Sequence, residues 1–509
     1  MEKLIAKLKN DKYKIPFIAA VAIGLITHMT MIVNKFPNGD SMTNFYFDQN
    51  MVTSGRWFLV AACGISSFYD LNFVNGILAI LFLAVTAVYV TRFFDVQKKA
   101  AMILIPAVMV TFPAVAATMA YMYTVDGYML GLLLSVLAAY LCKKYKFGWI
   151  YGAIALAFSL GTYQAYLAVT ILLVIFDLIM GIIENEKIKD LWIKGIKYLG
   201  MGVGGGALYY GILRLCLLLQ HKELDTYQGI NEMGKISISE LPSMIYDIYY
   251  DYGAFALRSR IFVNNVISMI AVVILIAACI ISVVVLSAKS KSYKKWYNWL
   301  LFLGFLAIIP LGCNIILLMS SKAEYHLLMR MQWVLFPVFV IVILDKSVGY
   351  LESVKEKMSL AKSIYIILFA IICYNFILAD NIAYFNLNER YEKTYAYCVR
   401  LLDRIEQTDG YYTGIPVCMV GVVSTDSFPE TDVTGKVTDR ISSTGGDFLL
   451  YRGEQYKEFM KHYLGATLNI LEGQAVIDMY DSEEYSKMES FPAKSSVKLV
   501  DGIIYVKLE

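Results

Sequence analysis

Residues 261–287 read IFVNNVISMIAVVILIAACIISVVVLS, a stretch without a single Asp, Glu, Lys or Arg. Wound into an α-helix it would run about 40 Å, more than the roughly 30 Å of hydrocarbon in a bilayer. Working outward from it, apolar runs recur at 15–33, 72–92, 100–119, 127–142, 147–161, 165–183, 194–219, 297–319, 331–345 and 363–380. The sequence therefore predicts an α-helical polytopic membrane protein with about eleven spans. The whole chain of 509 residues agrees, being 58% hydrophobic and 17% charged, with a mean hydropathy of +0.57. Soluble domains are nearer about 45–50% apolar and about 25% charged, so a soluble enzyme, a disordered regulator and a coiled coil are excluded. Residues 56–69 are also apolar, but Gly64, Ser66 and Ser67 interrupt them, which suggests an interfacial helix rather than a span.

Charge divides the chain in two. From Ile382 onward 13 basic residues meet 20 acidic ones, a balance of −7, while the part before it stands at +10. This predicts a membrane domain over 1–381 and a separate soluble domain over 382–509. With the N-terminus inside, the loops at 1–14, 92–99, 143–146, 187–197, 289–295 and 346–362 hold 23 Lys and Arg. The opposite loops hold only eight. The positive-inside rule then places the N-terminus in the cytoplasm, and an odd number of spans places the C-terminal domain outside. The basic N-terminus leads into an apolar run without a small-residue cleavage site, which reads as an uncleaved first span. In the tail, a helical pattern through Leu401, Leu402 and Ile405 precedes strand-like runs at 416–422, 475–479 and 497–508, with a helix near 454–463. A small exoplasmic α/β domain is expected. The eight cysteines form no CxxC pair, so neither a zinc site nor a dense disulfide framework is indicated, and nothing points to nucleic acid.

Gly200, Gly202 and Gly205 match GxGxxG literally, but inside a predicted span and with no preceding strand, so helix packing is the better reading. No P-loop, HExxH or nucleophile elbow appears, and no cofactor or metal is implied. Polar residues with chemical potential gather instead at the predicted outer ends of spans. The first outer loop, FPNGDSMTNFYFDQNMVTSGRW (36–57), holds Asp40 in a turn, Asp48 and Arg56. A carboxylate there suits a general base and an arginine suits a phosphate; a solvated turn acid and an interface anchor would look the same. AYMYTVDGYML (120–130) places Asp126 at a helix start, where the helix dipole alone would favour an acid. SLGTYQAYLAV (159–169) carries Tyr163, which fits an interfacial belt, and Gln164, a buried amide that needs partners and can bind sugar hydroxyls. Arg258 and Arg260 close the long loop 220–260, and His326 and Arg330 lie in SKAEYHLLMRMQW (321–333). Each pair suits a lipid-linked phosphate or plain snorkelling at a helix end. Arg214, within a span, is expected to face the protein interior.

An acidic first outer loop ending in Gly55-Arg56-Trp57, an outer motif around Asp126, and the SLGTYQAYLAV segment together resemble the GtrII-type glucosyl transferases. These are bacterial polytopic glycosyltransferases of the GT-C class. The resemblance covers about residues 15–380 and is weak over the tail. The family pattern has adjacent acids where this chain has Gly39-Asp40, so Asp40 is the direct match and Asp48 a substitute; Asp126 and Tyr163-Gln164 match its further motifs. The resemblance implies a GT-C-like bundle, a hexose, usually glucose, moved from a polyprenyl-phosphate carrier to a surface glycan outside the bacterial cytoplasmic membrane, and Asp40 as catalytic base. Asp48, Arg56, Asp126, Tyr163, Gln164, Arg258, Arg260, His326 and Arg330 are the candidates for substrate binding. The rival readings are a transporter or flippase of a lipid-linked saccharide, a glycan polymerase or ligase, and a non-catalytic scaffold.

Overall fold

The computed structural model describes residues 10–42, 44–232, 239–320, 323–354, 359–423 and 434–508; parts of the basic stretches 1–14 and 346–362 and of the loop 220–260 lie outside them. The chain divides into two compact units, Met1–Val33 with Phe47–Asn381, and Asn34–Tyr46 with Ile382–Glu509.

The first unit is helical. Its main helices are α1 (Asp11–Val33), α2 (Asn72–Phe93), α3 (Lys99–Thr111), α4 (Pro113–Met119), α5 (Val125–Lys144), α6 (Gly148–Thr162), α7 (Leu167–Ile183), α8 (Ile188–Gln220), α9 (Leu241–Arg258), α10 (Val266–Ser290), α11 (Trp296–Cys313), α12 (Leu335–Val354) and the first part of α13 (Ser359–Glu406). Every predicted apolar run forms helix over most of its length. Among the described residues nine helices are long and apolar enough to cross a membrane, ten if the bent pair α3 and α4 counts as one span. The remaining run is α6, whose 15 residues extend only about 22 Å. The bend between α3 and α4 is 45° and has a local cause: Phe112 precedes Pro113, whose ring forces Phe112 into extended backbone and then starts the next helix. The charge-free stretch of the opening sequence begins as a loop and becomes α10 at Val266, where Asn265 and Ser268 exchange side-chain hydrogen bonds with each other's amides in a capping box.

One acid in the middle of an apolar helix is fully accounted for. Asp177 of α7 meets Lys143 Nζ at 2.6 Å and accepts from the Tyr198 hydroxyl at 2.8 Å, while Lys143 also donates to the Phe93 carbonyl. A charge in that setting persists only when paired and hydrogen-bonded, and the network ties α2, α5, α7 and α8 together. In α8, Gly204 and Gly205 pack on α6: a Cβ at Gly205 would sit 2.9 Å from Leu156. Gly202 and Gly206 have nothing near, so close packing explains only part of the glycine run. Arg214 corrects an expectation: it is exposed, its guanidinium over the Tyr210 ring, six residues before the end of α8. A side chain that long reaches polar surroundings without turning inward.

The second unit is an α/β domain. Four strands, β1 (Pro416–Val420), β2 (Asn469–Ile470), β3 (Val497–Val500) and β4 (Ile503–Lys507), lie in the order β2-β1-β4-β3. β1 runs parallel to β2 and β4, whereas β3 pairs antiparallel with β4. The β3–β4 hairpin turns on Asp501-Gly502, both at positive φ, as a two-residue primed turn requires. Strand alternation sorts the core: Val417, Met419, Ile504 and Val506 pack with Leu401 and Ile405 of α13, while Cys418 packs with Met479 and Tyr485. Met42, from the first-loop segment Asn34–Tyr46, belongs to the α13 side of this core. The run 475–479 is not a strand but lies in helix α15 (Gln474–Tyr480), after α14 (Gly453–Phe459). Its apolar residues Val476 and Met479 are three apart, and Gln474 donates to Asp478 four residues on, both helical spacings that outweigh its short apolar look.

Candidate active site

The two motifs around residues 55 and 164 meet in space, within the first unit. A 3₁₀ turn, Val52–Ser54, ends at Gly55, which has φ +75°. A side chain there would collide as well as strain the backbone, because a Cβ would lie 2.5 Å from Gln164 Nε2 and 2.6 Å from the Tyr209 hydroxyl. Gln164 Nε2 donates to the Ser54 carbonyl of this turn at 3.0 Å and to the Tyr209 hydroxyl of α8 at 3.2 Å. Tyr209 in turn donates to the Gly55 carbonyl at 3.2 Å. Arg56 donates to the Tyr128 hydroxyl at 3.2 Å and lies 5.2 Å over the Tyr163 ring, which stacks on Tyr128 at 4.7 Å. Trp57 covers Gly161, where a Cβ would fall 2.5 Å from the indole, and the Phe58 amide donates to the Gly161 carbonyl. Each residue of Gly55-Arg56-Trp57 thus has its own partner around Tyr163-Gln164, and the amide of Gln164 holds protein.

Asp126 is the second residue of α5 and has no exposed surface. Neither carboxyl oxygen completes a hydrogen bond among the described residues. Ser66 lies beside it, but its hydroxyl donates to the Cys63 carbonyl at 3.0 Å. The helix N-terminus is the favourable field left to it. A buried acid with no basic partner among the described residues, with only the nearby Ser66 hydroxyl and the first amides of its helix to stabilise it, is costly to keep and marks a place where function is to be sought.

Arg330 is held tightly elsewhere. Its two terminal nitrogens form a fork with the Asp251 carboxylate at 2.7 Å each, Nε donates to the Tyr325 carbonyl, and the guanidinium lies 3.9 Å from the Tyr325 ring. Its turn, Leu327–Val334, packs on the Gln164–Tyr166 turn. His326 pairs with Glu324 at 3.3 Å at the surface, Arg258 and Arg260 are exposed at the end of α9, and Asp48 is exposed, with one oxygen accepting the Asn50 amide.

Asp40 belongs to the second unit. Asn38 forms the turn under it, its Oδ1 accepting from the amides of Asp40 and Ser41 at 2.9 Å each. The Gly39 carbonyl accepts from Gln455 Nε2 at 3.1 Å. The carboxyl reaches solvent, yet the protein crowding it raises its pKa above the ordinary aspartate value; the positive charge of Arg452 pulls the other way. A solvent-reaching carboxylate whose pKa is raised is a stronger base than an ordinary aspartate.

The structure therefore joins Arg56, Tyr163 and Gln164, sets Arg330 on an adjoining turn, and leaves Asp48, Arg258, Arg260 and His326 at separate surface positions. Tyr128, Tyr209 and Asp251 complete these clusters and were not singled out from the sequence. Asp380 was also missed; it is fully buried near the end of the last apolar run, with both oxygens lacking partners among the described residues. An acid at the end of an apolar run was the signal that could have found it. A family model described as Glucosyl transferase GtrII matches residues 29–344. No curated protein and no solved structure matches the chain.

Proposed function

The chain belongs to the GtrII glucosyl transferase family, and from that premise we propose that this membrane glucosyltransferase takes glucose from a polyprenyl-phosphate carrier and adds it to a surface glycan. The observation that carries the reading is the extent of the match, which takes in the Asp40 turn, the Gly55-Arg56-Trp57 turn and the Tyr163-Gln164 turn that supports it. In the proposed reaction Asp40 removes the proton of an acceptor hydroxyl. The acceptor oxygen bonds to the anomeric carbon, and the bond from that carbon to the phosphate oxygen breaks, leaving its electron pair on the carrier phosphate. A single base suffices for such direct, inverting displacement. Exposed Arg258 and Arg260 suit the carrier phosphate, since Arg330 already gives both terminal nitrogens to Asp251. The excess of Lys and Arg in alternate loops supports a cytoplasmic N-terminus in a bacterial cytoplasmic membrane, with the reaction outside.

The test is direct. Purified protein in nanodiscs, given polyprenyl-phosphate glucose labelled in the sugar and a surface-glycan acceptor, should release carrier phosphate and label the glycan in equal amounts. Failure to consume donors of several polyprenyl lengths would overturn the donor assignment. Carrier crossing the bilayer with its sugar still attached would instead establish the flippase.

A further inference from the structure

The α/β unit contains a cavity of about 520 Å³ that the transfer reaction as described leaves unassigned. It opens at the carboxyl ends of three parallel strands, floored by Val420 at the end of β1, Leu471 just after β2 and Leu508 just after β4. β1 lies between the other two, and the chain leaves it for β2 on one side before returning to β4 on the other. Open α/β sheets bind their ligands in the crevice beyond the carboxyl ends at such a reversal. The volume falls within the roughly 300–1,000 Å³ of small-molecule pockets.

The walls specify a ligand class. Over the apolar floor stand Tyr451, Arg452, Glu454 and Glu472, all exposed. Two carboxylates against one guanidinium repel an anionic ligand, yet together they offer acceptors and donors for neighbouring hydroxyls. Tyr451, 53% exposed, presents a ring for the apolar face of a sugar. The same turn reaches the Asp40 loop: Gln455 donates to the Gly39 carbonyl while its Oε1 accepts from the amides of Tyr451 and Arg452. All the lining residues lie beyond the stretch 29–344 that the family model matches.

We propose that this crevice is the acceptor site and binds an uncharged oligosaccharide through Tyr451, Arg452, Glu454 and Glu472. The proposal rests on the reading of the chain as a transferase that glucosylates a glycan, and it assigns acceptor choice to the α/β unit.

The experiment uses the full chain in nanodiscs and tetrasaccharides of glucose, rhamnose, galactose and N-acetylglucosamine, with tetragalacturonate as an anionic probe, followed by saturation-transfer NMR and calorimetry. At least one uncharged probe should bind and the anionic one should not. Tyr451→Ala and Glu472→Ala should each weaken binding about tenfold or more at an unchanged thermal midpoint, and raise the acceptor KM by a similar factor. Ile477→Trp, which places an indole at the crevice mouth from a residue 53% exposed, should abolish binding. No binding of any uncharged probe, preferred binding of tetragalacturonate, or binding indifferent to all three variants would overturn the proposal. Glucose release from polyprenyl-phosphate glucose by the unaltered chain separates the two claims. Release without oligosaccharide binding removes the crevice and keeps the donor reaction; binding without release does the reverse.

Discussion

Asp40 and Asp48 lie in one loop and carry the same charge, but they have different surroundings. Asp48 caps its own short turn at the surface, whereas Asp40 sits beside Arg452 in crowded surroundings that raise its pKa. Asp40→Asn keeps volume and shape but cannot take a proton, and losing a positioned base typically costs about 10²–10⁴-fold in rate. Single-turnover transfer should fall by that factor in Asp40→Asn with an unchanged melting curve, and should stay near normal in Asp48→Asn. A selective loss in the Asp48 variant would move the base there. Arg452 gives a second handle, because its positive charge holds the Asp40 pKa down. A base must be deprotonated to act, so activity declines as pH falls through that pKa. Arg452→Met removes the opposing charge and lets the pKa rise, so the acid limb of kcat, measured at saturating acceptor, should move to higher pH. An acid limb that stays in place would detach Asp40 from the proton transfer.

Among elements, the turn at Gly55 and the Gln164–Tyr166 turn stand or fall together. Gly55→Ala combines left-handed backbone with a collision against Gln164 and Tyr209, and should cost about 1–3 kcal/mol, read as a lower unfolding midpoint in detergent. Asp251→Asn leaves the Arg330 guanidinium buried without its carboxylate, a loss on the order of 3 kcal/mol. If Arg330 serves its turn, stability should drop while the donor KM changes little; a donor KM that falls would mean the substitution released a phosphate ligand. The spans were legible in the sequence because apolar length needs no knowledge of neighbours. The motifs were legible as polar residues at span ends, but their mutual contact was not: residues 55 and 164 meet only after the five helices α2 to α6 between them have packed. The Asp251–Arg330 fork, 79 residues apart, was hidden for the same reason. At 475–479 the short apolar run misled, since five residues carry too little period to separate a strand from a helix.

For the whole molecule, the orientation is open to a direct measurement. With a cytoplasmic N-terminus and the reaction outside, protease added to intact cells should cut within Ile382–Glu509 and leave a tag at the N-terminus untouched. Protection of a C-terminal tag under the same conditions would reverse the topology and remove the outer site with it. The division of the first loop carries a consequence for biosynthesis. Asn34–Tyr46 belongs with Ile382–Glu509, so the surroundings of Asp40 are built from pieces separated by more than three hundred residues. A ribosome delivers the acid early, when Gln455, Arg452 and the strands through Lys507 do not yet exist. Asp40 can gain its final setting only when synthesis is nearly done, and an interrupted translation product keeps its membrane helices but lacks the surroundings that crowd this carboxyl.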